Sequence, residues 1–170
     1  MKFFKLIPIL FLLFGIYPSR NLVYAEVNNS EDYKVLSSNK KLSIANVEYY
    51  LKQGDKSLNN GDFKNAKESY LSARKLATKL ASFYSDLNTA FIGVDARIPN
   101  EMQKKGRASL QILAKSNSRL AAFYIRNEKP EVAVPLLIET IRIMSPSSKE
   151  GKEAYKILRQ LGFVDTSYKG

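Results

Sequence analysis

From Phe63 to Phe91 the apolar positions Phe63, Ala66, Tyr70, Ala73, Ala77, Leu80, Tyr84, Leu87 and Phe91 recur in alternating steps of three and four. That is the period of an α-helix packed along its length, and a strand cannot use it. A second line, Leu76, Phe83 and Ala90, runs seven apart beside the first, so the stripe is wide enough to meet two neighbours. Asp62 stands where an N-cap carboxylate accepts from free backbone donors, and Gly93 where a left-handed C-cap is needed. The stretch from Gly61 to Gly93 is therefore expected as one rod of roughly thirty residues, about 45 Å long, whose neighbours must be long or several.

The same period marks four more helices. Ile44, Val47, Leu51, Gly54 and Leu58 form a one-faced helix that ends at the turn Asn59-Asn60-Gly61. After Gly93 the break at Pro99 suits the first turn of a third helix, with Glu101 near its N-terminus and Leu110, Leu113, Leu120 and Tyr124 on one face up to about Arg126. Gly106, inside it, either lets a neighbour approach or weakens the helix. The second and third helices are matched in length across a loop of about six residues, which predicts an antiparallel pair.

A fourth helix starts at Pro130, carries Val132, Ala133, Leu136, Leu137, Ile141 and Met144, and stops before Pro146. It is apolar nearly all round and is expected to be central, with a bend or a late start at Pro135. Ser147-Ser148-Lys149-Glu150 reads as a capping box that opens a fifth helix through Ala154, Tyr155, Leu158 and Leu161 to Gly162. Phe163 is expected to dock the tail. The fold class that follows is an all-α, antiparallel bundle of about five helices with a long central pair.

Composition adds an address. Lys2 and Lys5 precede the apolar run from Leu6 to Tyr17, and Val23-Tyr24-Ala25 places small residues where a signal peptidase cuts. The run is too short for the roughly twenty residues of a membrane span. Residues 1–25 are thus expected to be a signal peptide, 26–43 a flexible polar arm, 44–162 the helical domain and 163–170 a C-terminal tail. Without Lys2, Lys5 and Arg20, 24 basic residues face 16 acidic ones, so the exported chain is basic in its own right. There is no cysteine and no histidine. The fold has no disulfide, and the commonest general base, nucleophile and metal ligands are missing.

From Val47 to Leu80 the residues resemble the tetratricopeptide repeat, a helix-turn-helix unit of about 34 residues. Tyr50 stands at the aromatic opening position, Gly54 at the small position where the two helices touch, Gly61-Asp62-Phe63 at the turn, and Ala66, Tyr70 and Ala73 at the small-large-small run of the second helix. Gln53 and Ser57 depart from the pattern. A weaker match runs from Ala114 to Ser147, through Leu120-Ala121, Tyr124, Ala133 and Leu137, with Glu128-Lys129-Pro130 in place of the glycine turn and Thr140 in place of the last small residue. The resemblance implies two TPR-like hairpins fused through lengthened helices. More loosely, the chain is similar to small exported TPR-like proteins of cyanobacteria, which implies the periplasm or the thylakoid lumen.

The resemblance also implies a groove on the first helix of each unit that holds an extended or helical peptide. It would use Glu48, Leu51, Asp55, Leu58 and Asn59 in the first unit, and Lys115, Ser118, Ala122, Ile125 and Arg126 in the second. Leu51 and Leu58 suit the core equally. A clamp for a C-terminal carboxylate is not implied, because Leu51 and Asp55 stand where that subset has Lys and Asn.

A basic patch, Arg97, Lys104, Lys105 and Arg107, is a second candidate for binding, continued by Lys64, Lys67, Arg74, Lys75 and Lys79. Such a patch attracts acidic partners, although most helical lysines simply face solvent. The carboxylate pairs Glu48 with Asp55 and Asp86 with Asp95 have no nucleophile or orienting base beside them, so no catalytic residues, metal or cofactor are expected. The function expected is that of an exported, non-enzymatic protein-binding module, a scaffold or assembly factor. The alternative is a permanent subunit of a larger membrane-associated complex. The partner expected is a protein, acidic or membrane-associated, with neither nucleic acid nor a small-molecule substrate.

Overall fold

Ser43 turns the chain into its first helix: its backbone is extended, and its hydroxyl accepts from the Asn46 N–H at 3.2 Å. The computed structural model describes residues 41–168, so the expected signal peptide and the arm up to residue 40 lie outside the described residues. Five helices follow: α1 (Ile44–Asn59), α2 (Phe63–Phe91), α3 (Arg97–Arg126), α4 (Pro130–Met144) and α5 (Lys149–Gln160). No strand occurs among the described residues. Each helix packs on its neighbours in sequence, most extensively α2 on α3, and α1 also meets α3.

The turns are set by local chemistry. The Asp62 carboxylate accepts from the Asn65 N–H at 3.1 Å, and that bond holds its pKa below the ordinary value. Gly61 and Gly93 take φ of +76° and +80°, which other residues adopt only with strain. Pro99 falls in the first turn of α3, where its missing N–H costs nothing.

The seam of α2 is buried at Ala66, Tyr70, Ala73, Ala77 and Leu80. Past Leu80 it opens: Tyr84, Leu87 and Phe91 are half-buried, and Phe83 and Ala90 of the second line are exposed. The cause is length. α1 has 16 residues against the 29 of α2, so at about 1.5 Å per residue it covers only the first half of its neighbour. The wide stripe thus gains two neighbours over half its length and one over the rest.

One buried polar cluster joins three helices. Asn117 of α3, fully buried, accepts from Arg74 Nε of α2 at 2.9 Å and donates to Glu139 Oε2 of α4 at 3.2 Å. Arg74 Nη2 also donates to Glu139 Oε2 at 2.6 Å. Every buried side-chain polar atom among the described residues has a partner, as a well-packed interior requires.

Four expectations need correction. α4 is not central all round: Ala133, Leu136, Leu137 and Thr140 are buried, but Val132 and Ile138 are exposed, because α4 packs mainly on α3 and α5 and meets α2 through the Arg74–Glu139 pair. It begins at Pro130 without a late start and runs through Pro135, whose ring removes the bond to the Glu131 carbonyl. α5 is capped by Ser148, whose hydroxyl accepts from the Gly151 N–H at 2.9 Å. Glu150 therefore sits one position too early for a capping box. Finally, the tail is held by Val164 against the core and by the Tyr155 hydroxyl, which donates to the Thr166 carbonyl at 2.9 Å; Phe163 is half exposed.

The glycines at the helix contacts yield a paired prediction. A Cβ on Gly54 would lie 2.5 Å from Tyr70 Cε1, inside a ring that is itself buried, whereas one on Gly106 would meet Tyr84 Cβ at an ordinary 3.7 Å. Gly54→Ala should destabilise the domain by about 1–3 kcal/mol through overpacking. Gly106→Ala should stabilise it by about 0.5–1 kcal/mol by stiffening the helix. Urea unfolding followed by circular dichroism measures both, and two shifts of the same sign would refute this packing.

Candidate partner-binding groove

The groove begins at a three-helix contact. Tyr70 of α2 reaches past Gly54 so that its hydroxyl donates to Asp55 Oδ1 of α1 at 2.7 Å. The same oxygen lies 3.5 Å from Arg119 Nε of α3. Asp55 is thereby placed at the seam between α1 and α3. Burial of Tyr70, reinforced by the bond to Asp55, pushes its hydroxyl well above the ordinary tyrosine pKa.

Along this seam runs a groove of about 630 Å³. Ile44 and Glu48 of α1 form one wall, Glu150 of α5 closes the far side, and α3 supplies the floor from Ala108 through Gln111, Ile112, Lys115, Ser118 and Arg119 to Ala122. On α3 these positions recur at helical spacing, so one face carries them all. Small residues at 108, 118 and 122 keep the floor low. The charges are mixed, with Glu48 and Glu150 against Lys115 and Arg119. Such a lining matches a peptide with donors, acceptors and side chains of both signs better than a uniformly charged polymer.

Four of the ten groove residues named from the sequence, Glu48, Lys115, Ser118 and Ala122, line this groove together. Asp55 stands at its edge through Arg119. Leu51 does not reach it: only 3% exposed, it belongs to the core, the other place the sequence allowed for it. Leu58 and Ile125 pack half-buried against the core, while Asn59 and Arg126 are exposed at the last residues of α1 and α3, beyond the lined stretch. The sequence reading missed the polar lining residues Gln111, Arg119 and Glu150 and the apolar ones Ile44, Ala108 and Ile112. Extending the three-and-four step from Lys115 reaches Gln111 and Arg119; nothing local pointed to Glu150.

The basic patch is partly neutralised. Arg97 bonds to Asp95 through its guanidinium at 2.7 Å, and this pairing holds the Asp95 carboxyl below the usual carboxylate range. Lys105 pairs with Glu101 one turn away and lies 5.9 Å from the Tyr84 ring centre. Lys104 and Arg107 are exposed and in no ion pair among the described residues. On α2, Arg74 is taken by the interior cluster. Of the carboxylate pairs, Asp55 serves the seam and Asp86 accepts from the Ser82 hydroxyl at 3.2 Å. No group of His, Cys, Asp and Glu among the described residues could hold a metal ion, and no helix there is long and apolar enough to cross a membrane.

Compared with models of known protein families, with curated proteins and with solved structures, the chain matches none. The likeness to the tetratricopeptide repeat therefore rests on the residues of this chain.

The Tyr70 hydroxyl gives a pH prediction. Its folded pKa is raised above the unfolded value of about 10, so its contribution is fully present below that pH and is lost as pH rises beyond it. Stability should be level from neutral to mildly alkaline pH and fall above about pH 10. Tyr70→Phe should cost about 0.5–1.5 kcal/mol at pH 7 and flatten that fall. Urea midpoints against pH measure it; an equally steep alkaline fall in Tyr70→Phe would remove Tyr70 as the cause.

Proposed function

We propose that this chain is an exported, TPR-like, non-enzymatic protein-binding module, a scaffold or assembly factor working in the periplasm or thylakoid lumen. The observation that carries the reading is the polar, mixed-charge groove floored by α3 and walled by α1 and α5. Residues of α1, α3 and α5 line that groove together, and α2 and α4 contribute none to it. Two hairpins, α1 with α2 and α3 with α4, would then be the repeat-like units and α5 the cap. The contact of Gly54 with Tyr70 supports that reading, since the repeat pattern puts a small residue opposite a large one there.

A second reading has a specific observation behind it. At the uncovered end of the α2–α3 pair, Phe83, Ile92 and Val94 are 45%, 65% and 77% exposed. An apolar end of this kind suits permanent burial in a larger membrane-associated complex.

Affinity capture from native membranes separates the two. Ser118→Arg with Ala122→Arg fills the groove at exposed positions and should leave helical content intact while reducing capture of the partner by about tenfold or more. Ile92→Asp with Val94→Asp should leave capture unchanged. The opposite pattern would establish the subunit reading in its place.

A further inference from the structure

A further basic surface lies outside both the groove and the patch at the start of α3. Lys149, Lys152, Lys156 and Arg159 follow one another along α5 in steps of three, four and three. That spacing sets four cations on one side of the helix over about 15 Å. None of them is in an ion pair among the described residues, although Glu153 is within helical reach of both Lys149 and Lys156. Glu150, on the groove side, lies about 100° round the same helix from Lys149, so the two surfaces do not overlap.

The tail converts this stripe into a cleft. The Tyr155 hydroxyl fastens Thr166, the Tyr155 ring meets the edge of Tyr168 at 6.1 Å, and the returning chain forms a second wall with Ser167. The half-open cleft has a volume of about 920 Å³, larger than the groove. We propose that this cleft is a second docking site, and that it takes an extended acidic segment of a protein partner. The proposal rests on the reading of the chain as a protein-binding module and adds the chemistry of what it holds.

Shape and charge choose that occupant. A planar bilayer would touch the rims of a concave cleft and leave its floor empty, so the ligand is a chain. An extended polypeptide rises about 3.3 Å per residue, so five residues run the length of the stripe and place two or three carboxylates on its side. Glu153 lines the same cleft. A polyphosphate, negative at every unit, meets it as a repulsion, whereas a peptide can set a backbone N–H or an uncharged residue against it.

The test uses the chain from Glu26 onward and a fluorescent twelve-residue peptide of alternating Asp and Gly, read by anisotropy at low and physiological salt. The peptide should bind, and more weakly as salt rises. Lys152→Glu with Lys156→Glu should weaken it by about tenfold or more, since each change removes one attraction and adds one repulsion. Lys104→Glu with Arg107→Glu, which changes net charge equally, should leave it within about twofold. Equal loss in both pairs would overturn the site in favour of a net-charge effect. Tighter binding of sodium polyphosphate, or of phosphatidylglycerol vesicles, than of the peptide would overturn the choice of occupant. A groove-filled chain that loses its partner in capture but still binds this peptide keeps the two sites distinct; retained capture with lost peptide binding overturns the cleft alone.

Discussion

The cluster of Arg74, Asn117 and Glu139 is the constraint on which the arrangement depends. α2 and α3 face each other along seams of alanine, leucine and aromatic residues, and such seams tolerate a slip of one turn with little loss of buried area. A buried amide that must accept from one helix and donate to another does not tolerate it. With Asn117 fully buried and bonded to both sides, register is fixed at one point. The rest follows: Tyr70 lies on Gly54, its hydroxyl reaches Asp55, and Asp55 faces Arg119 at the head of the groove. An interior polar contact thus positions a surface site about a turn away.

Much of the fold was legible because its signals are local. The three-and-four steps, the Asp62 cap, the turn at Gly61, the left-handed Gly93, the stop at Gly162 and Pro130 at a helix start each act within a few residues, and all stand where the sequence put them. What failed depended on distance. Arg74 read as part of a basic face because its partners are 43 and 65 residues away. The uncovered half of α2 could not be seen from α2 itself, since it is set by where α1 stops. On α5 the basic steps were present in the sequence, but the apolar positions on the other side of the helix drew the reading, and the tail that closes the cleft returns only in three dimensions.

The candidate site divides the same way. Glu48, Lys115, Ser118 and Ala122 follow from a period and a likeness to a repeat, and the structure brings them together. Leu51 shares that period but points into the core, because a helix face that meets a neighbour has a buried centre and exposed edges, and one residue cannot serve both. The domain offers two surfaces of different chemistry on the two sides of α5: a mixed-charge groove and a basic cleft. A partner holding both would be fixed by shape in one and drawn by charge to the other, a division that gives specificity and association rate to separate surfaces.

The proposed binding role requires that a partner lie in the groove. A photo-reactive benzoylphenylalanine in place of Ser118, and in a separate chain in place of Val94, would be irradiated in native membranes and the adducts compared by mass. The account predicts a covalent adduct from position 118 and little from position 94. An adduct from position 94 alone would contradict it, and would place the partner on the apolar end of the long helix pair.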